Sequence, residues 1–234
     1  MRRPVHSSAA AAAVLLVLGV LAPPAASAQQ SVNFSVGGFV PRGLDGRPNT
    51  DVLVNNLDFL IFDLKDFNGA SLNAEWLIGL GDFVEAGLGA GWYAKTSPAI
   101  YRRFTHADGS EIEQDLKLRI VPFSATLRIL PLGRRGVQPY LGIGAGVLRY
   151  RYSETGDFVD LTDRSIFRDN FVATGTATGP LILGGVRFRI EEIDLGFEMR
   201  HQAGKGELPE DLDFSGSRID LGGMNYLFTL NVHF

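Results

Sequence analysis

Apolar and polar residues alternate with a period of two in eight segments of this chain. In one of them, Leu195, Phe197 and Met199 alternate with Gly196 and Glu198. Such alternation is typical of a β-strand with one apolar and one polar face. The eight segments cover approximately residues 32–40, 71–80, 84–92, 121–129, 141–147, 182–190, 195–200 and 224–234. The chain is therefore expected to be all-β, with eight strands.

The connections between these segments are long and short in turn. The long ones cover about 41–70, 95–114, 153–174 and 202–217, and the short ones cover 81–82, 131–138 and 191–193. An up-and-down barrel with both chain ends on one side has this pattern, because every second connection then lies on the same side. We therefore predict an eight-stranded antiparallel up-and-down β-barrel.

Two segments leave alternatives open. The apolar residues of 116–120 fall on even positions, whereas those from Val121 onward fall on odd positions. A bulge near Val121 and Pro122 would change the parity in this way, and so would a strand whose upper half projects beyond a bilayer. Residues 51–64 are unusually apolar for a connection, and they fit either a short amphipathic helix or a strand pair.

The start of the chain has the pattern of a cleaved secretory signal peptide. Arg2 and Arg3 give a positive start, residues 9–22 form an apolar run, and small residues end at Ala28. We therefore predict a signal peptide over 1–28, cleaved after Ala28, and one barrel domain over 29–234. No segment of that domain approaches the roughly 18 consecutive apolar residues that indicate a spanning helix.

The polar face of the strands carries charges, which bear on the kind of barrel. A soluble, lipocalin-like barrel would expose them to water. A membrane barrel would enclose them, because a charged side chain facing mid-bilayer lipid costs roughly 2–4 kcal/mol. Acids and bases can pair inside, and glycines on the same face, such as Gly87 and Gly144, would leave room for them. The predicted lumen charges are Glu75, Glu85, Arg128, Arg187, Arg189, Glu198 and Arg200.

The last strand distinguishes between the two kinds of barrel. Its apolar series reaches the final residue and consists of Tyr226, Phe228, Leu230, Val232 and Phe234. A soluble chain rarely ends on an exposed aromatic residue, since chain ends fray and are usually polar. The series resembles the terminal assembly signal of bacterial outer-membrane barrels, and this resemblance implies recognition by the barrel insertion machinery. We therefore predict that the barrel is transmembrane.

Residues 29–234 as a whole resemble the small eight-stranded outer-membrane barrels of the OmpA/OmpX type. The motifs similar to recurring ones of that group are Glu198-Met199-Arg200 and Gly142-x-Gly144-x-Gly146. The resemblance implies a monomer in the outer membrane of a Gram-negative-type cell envelope, in contact with outer-membrane lipids and lipopolysaccharide. It also implies a structural or surface-interaction role for the long external loops, without a cofactor.

Composition narrows the functions further. The chain has no Cys, which excludes a disulfide framework, a thiolate nucleophile and a thiolate metal site. Its formal net charge of −4 argues against a nucleic-acid-binding surface.

Eight strands enclose an interior that side chains can fill, so a wide pore is not expected and a narrow channel is an alternative. The aromatic residues expected to anchor the barrel at the membrane interface are Trp92, Tyr93, Tyr150 and Tyr152.

A lipid-modifying enzyme is the other alternative. Arg200-His201 after an apolar strand is similar to the lipid A deacylase barrels, in which a Ser two residues after the His is the nucleophile. Here Ala203 occupies that position, and only Ser215 and Ser217 remain near enough in sequence to approach the imidazole. We therefore expect no catalytic residue.

Acidic residues of the predicted connection 202–217 offer oxygen ligands for Ca²⁺ or Mg²⁺ but lack a recognised spacing, so no metal site is expected. They are Glu207, Glu210, Asp211 and Asp213.

Overall fold

Eight strands close into one antiparallel barrel in the computed structural model, which describes residues 29–160 and 162–234. The barrel strands are β1 (Gln30–Pro41), β3 (Gly69–Gly79), β4 (Val84–Thr105), β5 (Glu111–Ile129), β6 (Val137–Val159), β7 (Ile166–Ile190), β8 (Ile193–Gln202) and β11 (Gly223–His233). Neighbours in the chain pair with each other, and β11 closes the ring by pairing with both β8 and β1. The predicted all-β, up-and-down fold is confirmed. The predicted signal peptide and its cleavage after Ala28 lie outside the described residues.

Short turns lie at one end of the barrel, which we call the turn side. They cover residues 80–83, 130–136 and 191–192, and the start of β1 meets the C-terminal residue there, where Phe234 N donates to Gln30 O at 3.1 Å. The opposite end, the loop side, carries the other four connections.

Two of these loop-side connections are long and contain small elements. They are α1 (Val52–Asn56), β2 (Leu60–Ile61), β9 (Lys205–Glu207), β10 (Arg218–Asp220) and 3₁₀ turns at Leu44–Gly46 and Leu64–Phe67. Residues 51–64 therefore contain both a short helix and a strand, because β2 pairs with β4. Nowhere in the described part of the chain is a helix long and apolar enough to cross a membrane.

The barrel wall is twice as tall on one side as on the other. β4 to β7 have 22, 19, 23 and 25 residues, whereas β1, β3, β8 and β11 have 12, 11, 10 and 11. A tilted membrane strand needs about 9–11 residues. The two central connections predicted over 95–114 and 153–174 are therefore wrong in length, because most of these residues extend the strands. The loops themselves are only 106–110 and 160–165.

A belt of exposed apolar side chains encircles the turn-side half of the barrel. Leu88, Leu141 and Phe228 are each more than half exposed, at 59%, 69% and 69%. The belt draws on all eight barrel strands and includes Phe34, Leu72, Trp76, Leu88, Phe123, Leu127, Leu141, Ile182, Phe188, Leu195 and Phe228. A soluble barrel buries its apolar face, whereas lipid tails cover such a belt in a membrane barrel.

The polarity of the two faces inverts part of the way along the tall strands. On the turn side of β5, Leu127 faces outward and Arg128 is buried. On its loop side, Leu118 is buried and Lys117 faces outward. The pairing of β5 with β6 keeps one register from Gln114 through Ile129, so the first of the two alternatives, a bulge near Val121 and Pro122, is wrong. The parity change instead marks the level at which the strand leaves the apolar belt.

The inner face of the tall wall packs against the two long connections and forms a hydrophobic core, which we call the loop-side core. Its members include Phe39, Val52, Leu53, Leu60, Phe67, Tyr93, Tyr101, Ile112, Leu116, Leu118, Ile120, Tyr150, Tyr152, Leu208 and Ile219. Of the predicted interface aromatics, only Trp92 is exposed at the outer surface. The prediction is wrong for Tyr93, Tyr150 and Tyr152, because their side chains are buried in this core.

Candidate functional site

Four charged side chains form a closed ring of alternating sign in the barrel lumen. Arg128 Nη2 contacts Glu75 and lies 3.2 Å from Glu198 Oε2. Arg200 Nη2 closes the ring, because it lies 3.1 Å from Glu75 Oε2 and 2.7 Å from Glu198 Oε1. All four side chains are buried. Two positive and two negative charges thus compensate one another's loss of hydration, as buried ions require.

A smaller group of charges lies nearer the short turns. Arg187 Nη2 is 2.8 Å from Glu85 Oε2, and Arg134 Nη1 is 3.6 Å from Glu85 Oε1. Glu85 and Arg187 come from inward positions of β4 and β7, whereas Arg134 reaches back from a turn. The carboxylate of Glu85 therefore has two cationic neighbours.

Tyr140 joins the two groups into one network. Its hydroxyl donates to Glu198 Oε2 at 3.0 Å. The guanidinium carbons of Arg128 and Arg187 lie 5.2 Å and 4.9 Å from the centre of its ring. A cation near an aromatic face is attracted by the ring quadrupole. The lumen is consequently crossed by a continuous set of charged and aromatic side chains.

Six of the seven predicted lumen charges belong to this network, and Arg189 does not. Arg189 Nε is 4.0 Å from Asp194 Oδ1 and donates to Glu191 O at 3.2 Å, at the turn-side mouth. Its side chain is 23% exposed. Parity gives the face of a strand but not the depth, so the sequence pattern could not separate Arg189 from Arg187. The pattern also missed Arg134, because alternation carries no information in a turn.

Inward glycines make room for the network. A Cβ atom on Gly87 would lie 2.5 Å from Thr126 Oγ1 and closer still to Glu75 Oε1. Thr126 in turn donates its hydroxyl to Glu75 at 2.5 Å. Beside Arg200, the lumen contains a cavity of only about 10 Å³, about the smallest space that can hold one water molecule. Side chains therefore leave little free space beside Arg200.

The terminal series lies on the outer face of β11 and ends one residue beyond it, at Phe234. Tyr226, Phe228, Leu230, Val232 and Phe234 are all exposed, and β11 completes the ring of strands between β1 and β8. Recognition of this series by the insertion machinery stays a prediction.

The candidate catalytic and metal residues are not assembled into a site. His201 shares the outward parity of Met199 on β8, whereas the Ser215 hydroxyl donates to Asn56 in the long connections. Within residues 29–160 and 162–234, no group of three or more His, Asp or Glu side chains is arranged to hold a metal ion. The acidic connection with Glu207 and Asp213 thus offers separate carboxylates.

A cluster of basic side chains, which we call the basic wall, lies on the outer surface directly above the apolar belt. It consists of Lys117, Arg119, Arg149 and Arg151, all exposed. Arg119 and Arg151 are direct cross-strand partners, and the Arg119 guanidinium carbon lies 5.5 Å from the centre of the Trp92 ring. None of the four forms an ion pair with a carboxylate in the described chain. Like charges opposite each other repel, so an anion would stabilise this arrangement.

Asp51 ties the two long connections together. Its carboxylate accepts from Arg47 Nη1 at 2.9 Å and 3.1 Å, from Leu53 N at 2.9 Å and from Asp220 N at 2.6 Å. The bond to Leu53 caps α1, and the bond to Asp220 reaches the last connection. Because both Asp51 and Arg47 are buried, this site fixes the position of the connections on the loop-side core.

Glu154 is the other buried acid of the loop side. Its Oε1 accepts from Asn56 Nδ2 and from the Tyr152 hydroxyl, each at 2.7 Å. Burial raises the pKa of Glu154 above its ordinary value, although both hydrogen bonds oppose this effect. Burial also raises the pKa of Tyr152, and the neighbouring Glu154 adds to the rise. The site therefore holds a carboxyl group without a compensating cation.

A closed eight-stranded barrel with a charged interior and an apolar outer belt defines the class of small transmembrane β-barrels. No described protein family and no curated protein matches the chain. Among solved structures, Neisserial surface protein A is 14% identical, with a TM-score of 0.47 over 88% of this chain and 97% of that chain. The outer-membrane protease OmpT of Escherichia coli is 11% identical, with a TM-score of 0.45 over 88% and 97%.

The attachment invasion locus protein Ail of Yersinia pestis is also similar. It is 10% identical, with a TM-score of 0.43 over 88% of this chain and 99% of that chain. These similarities are remote, and they transfer neither an activity nor a ligand to this chain.

Proposed function

We propose that the protein is a monomeric outer-membrane barrel with a sealed lumen and a rigid surface-binding module on the cell exterior. The observation that carries this proposal is the inversion of polarity along β4 to β7. An apolar outer face suits lipid, whereas an apolar inner face with a polar outer face suits water. The same strands therefore supply a membrane barrel and, beyond it, a water-soluble module with its own core.

The filled lumen argues for a binding role rather than for transport. The ring around Arg128 crosses the barrel, and the loop-side core lies above it. Both would have to open before a solute could pass. A surface role instead uses the features that face outward, which are the basic wall and the loop-side connections.

We further propose that the basic wall binds the phosphate groups of lipopolysaccharide in the outer leaflet. Its four cations lie just beyond the apolar belt, at the level where lipid headgroups begin. A groove of about 420 Å³ runs between Trp92, Lys117, Arg119 and Arg151. Arginine binds phosphate oxygens in a bidentate manner, and charged hydrogen bonds of this kind are stronger than neutral ones.

Cysteine labelling tests the location and the orientation. The natural chain contains no Cys, so Ala107→Cys in the loop 106–110 and Arg135→Cys in the turn 130–136 each introduce a single thiol. A membrane-impermeant maleimide applied to intact cells is expected to label Ala107→Cys and to spare Arg135→Cys. Both should be labelled after the envelope is permeabilised.

Labelling of Arg135→Cys alone in intact cells would reverse the orientation. Recovery of both variants in the soluble fraction without detergent would contradict the membrane location. Fractionation of the same cells gives this second result directly.

Lipid retention tests the basic wall. The double variant Arg119→Gln/Arg151→Gln is expected to lose at least half of the lipopolysaccharide phosphate that co-purifies with the wild-type barrel, with a larger loss at high salt. Arg135→Gln removes a cation at the turn side and should leave the bound phosphate unchanged. Equal phosphate in the double variant and the wild type would contradict this proposal.

A further inference from the structure

A cleft of about 350 Å³ opens between the loop-side tips of β4 to β7 and the two long connections. Five aromatic side chains line it: Phe59, Tyr101, Phe158, Phe167 and Phe171. The Phe158 ring centre lies 4.8 Å from that of Phe171 and 5.7 Å from that of Phe167. The volume is within the range of sites that enclose small molecules. Much of the cleft wall therefore consists of the faces and edges of aromatic rings.

The charged residues that line the cleft all have the same sign. They are Glu154, Asp160 and Asp213, and no Lys, Arg or His lines it. Glu154 is 5% exposed, and no cationic nitrogen of the described chain lies within 4.0 Å of its carboxylate. Its two hydrogen bonds both fall on Oε1, which leaves Oε2 without a donor from the described residues. A buried carboxylate with no cation is costly, so the site is incomplete as a charged site.

A second buried group in the cleft also lacks a partner. Gln114 is 3% exposed and lines the cleft, and its Nε2 donates to the Tyr101 hydroxyl and to Asp157 O, each at 3.1 Å. Its Oε1 is buried and accepts no hydrogen bond in the described chain. Buried polar atoms are usually paired, so this acceptor points to a missing donor. Glu154 and Gln114 come from different strands, and both require a hydrogen-bond donor, which at Glu154 should also be cationic because the carboxylate has no cation beside it.

We infer that this cleft binds an organic ammonium ion with an attached apolar or aromatic group. The ammonium would donate to the acceptor oxygens of Glu154 and Gln114. It would also supply the positive charge that is missing beside the Glu154 carboxylate. The aromatic faces attract a cation through their quadrupoles and cover the apolar part of the ligand. The inference names a ligand class for the proposed surface-binding module, and it rests on that proposal only in placing the cleft on the cell exterior.

Titration of the full barrel in detergent micelles at pH 7.5 tests the inference. The probes are phenethylammonium, its neutral analogue 2-phenylethanol and the anionic phenylacetate, followed by isothermal calorimetry. Phenethylammonium is expected to bind at least about tenfold more tightly than 2-phenylethanol, and phenylacetate should not bind. The expected gain comes from the charged hydrogen bond and the cation–π contacts.

Variants separate charge recognition from simple burial. Glu154→Gln should reduce phenethylammonium binding to the level of 2-phenylethanol, whereas Phe158→Leu should weaken the binding of both compounds. Glu113→Gln removes an exposed carboxylate from the outer face of the same wall and should change neither. The shift in gel mobility on heating, typical of folded membrane barrels, confirms that each variant is folded.

Three results would overturn the inference: equal affinity for the cation and the neutral analogue, undiminished cation binding by Glu154→Gln, or no binding by the folded wild type. Because the titration uses purified protein, its failure would leave the labelling result untouched. A failure of the labelling experiment would likewise leave the measured affinity in place.

Discussion

Arg128 holds the lumen network together because both acids of the four-residue ring contact its guanidinium. It is fully buried, and its side chain also lies against the ring of Tyr140. If Arg128 were removed, neither Glu75 nor Glu198 could replace the lost ion pair by a contact with water, because both carboxylates are buried. The consequence of removing Arg128 is therefore two buried negative charges that share one remaining cation, Arg200.

Arg128→Leu is expected to lower the free energy of unfolding by about 3–5 kcal/mol, the usual cost of breaking a buried ion pair from one side. Arg189→Leu makes the same chemical change at the partly exposed turn-side mouth and should cost less than about 1 kcal/mol. Urea unfolding of both variants in lipid vesicles, followed by tryptophan fluorescence, measures the difference. Equal costs would show that the depth of the charge in the lumen does not matter.

Strands of membrane length were predictable from alternation, because one face of each carries apolar residues through the belt. The extensions of β4 to β7 were not, since the apolar residues change face part of the way along these strands, at Val121 in β5, and the pattern then resembles a connection. The same inversion explains the incorrect assignment of Tyr150 and Tyr152. Their aromatic character suits a membrane interface equally well, and only the packing against α1 and the last connection places them inside.

The lumen charges were predictable because they share one parity, but their pairing was not. Which acid meets which base depends on strand register and on depth in the barrel. Glu75 and Arg128 lie on strands that are separated by β4, and they meet across the space that Gly87 of β4 leaves inside the barrel. The cleft was beyond sequence analysis altogether, since Phe59 and Phe158 come from connections and strand tips without a repeating pattern.

The stability of the proposed surface-binding module on the loop side should depend on pH through Glu154. Because burial raises the pKa of Glu154, the folded module binds its proton more readily than the unfolded chain does. The stabilisation is fully present below the ordinary carboxyl pKa of 4.5 and is lost as the pH rises through the raised value. Among the described residues, other ionisable groups around it are Asp160 and Asp213 in the cleft and Tyr101 and Tyr152 beside Glu154.

Glu154→Gln keeps the neutral form at every pH, so it should slow hydrogen exchange in α1 and β2 relative to the wild type at pH 8. At pH 4 the two proteins should exchange alike. Comparing variant and wild type at one pH cancels the intrinsic dependence of exchange on pH. Faster exchange in the variant at pH 8 would mean that the ionised carboxylate stabilises the module.

The whole molecule combines two cores of opposite construction along one set of strands. On the turn side, charges fill the interior and apolar residues face outward. On the loop side, apolar residues fill the interior and charges such as Lys117 and Arg151 face outward. We propose that each core closes the barrel by itself, because the charge ring spans the lumen and the loop-side core covers its upper end. The proposal gives the molecule two seals in series.

Two seals in series predict that damage to one leaves the barrel closed. We expect no ion efflux above lipid alone from three proteins. They are the wild type, Arg128→Ser in the lumen, and Asp51→Ala, which breaks the link between the two long connections. Proteoliposomes with equal amounts of folded protein, judged by gel mobility before and after heating, allow this comparison, with a general-diffusion porin as the positive control.

Efflux through Arg128→Ser would mean that the charge ring is the only barrier, and efflux through Asp51→Ala would assign that role to the loop-side core. Efflux through the wild type would favour a narrow channel, because ions would then cross the lumen despite the ring around Arg128.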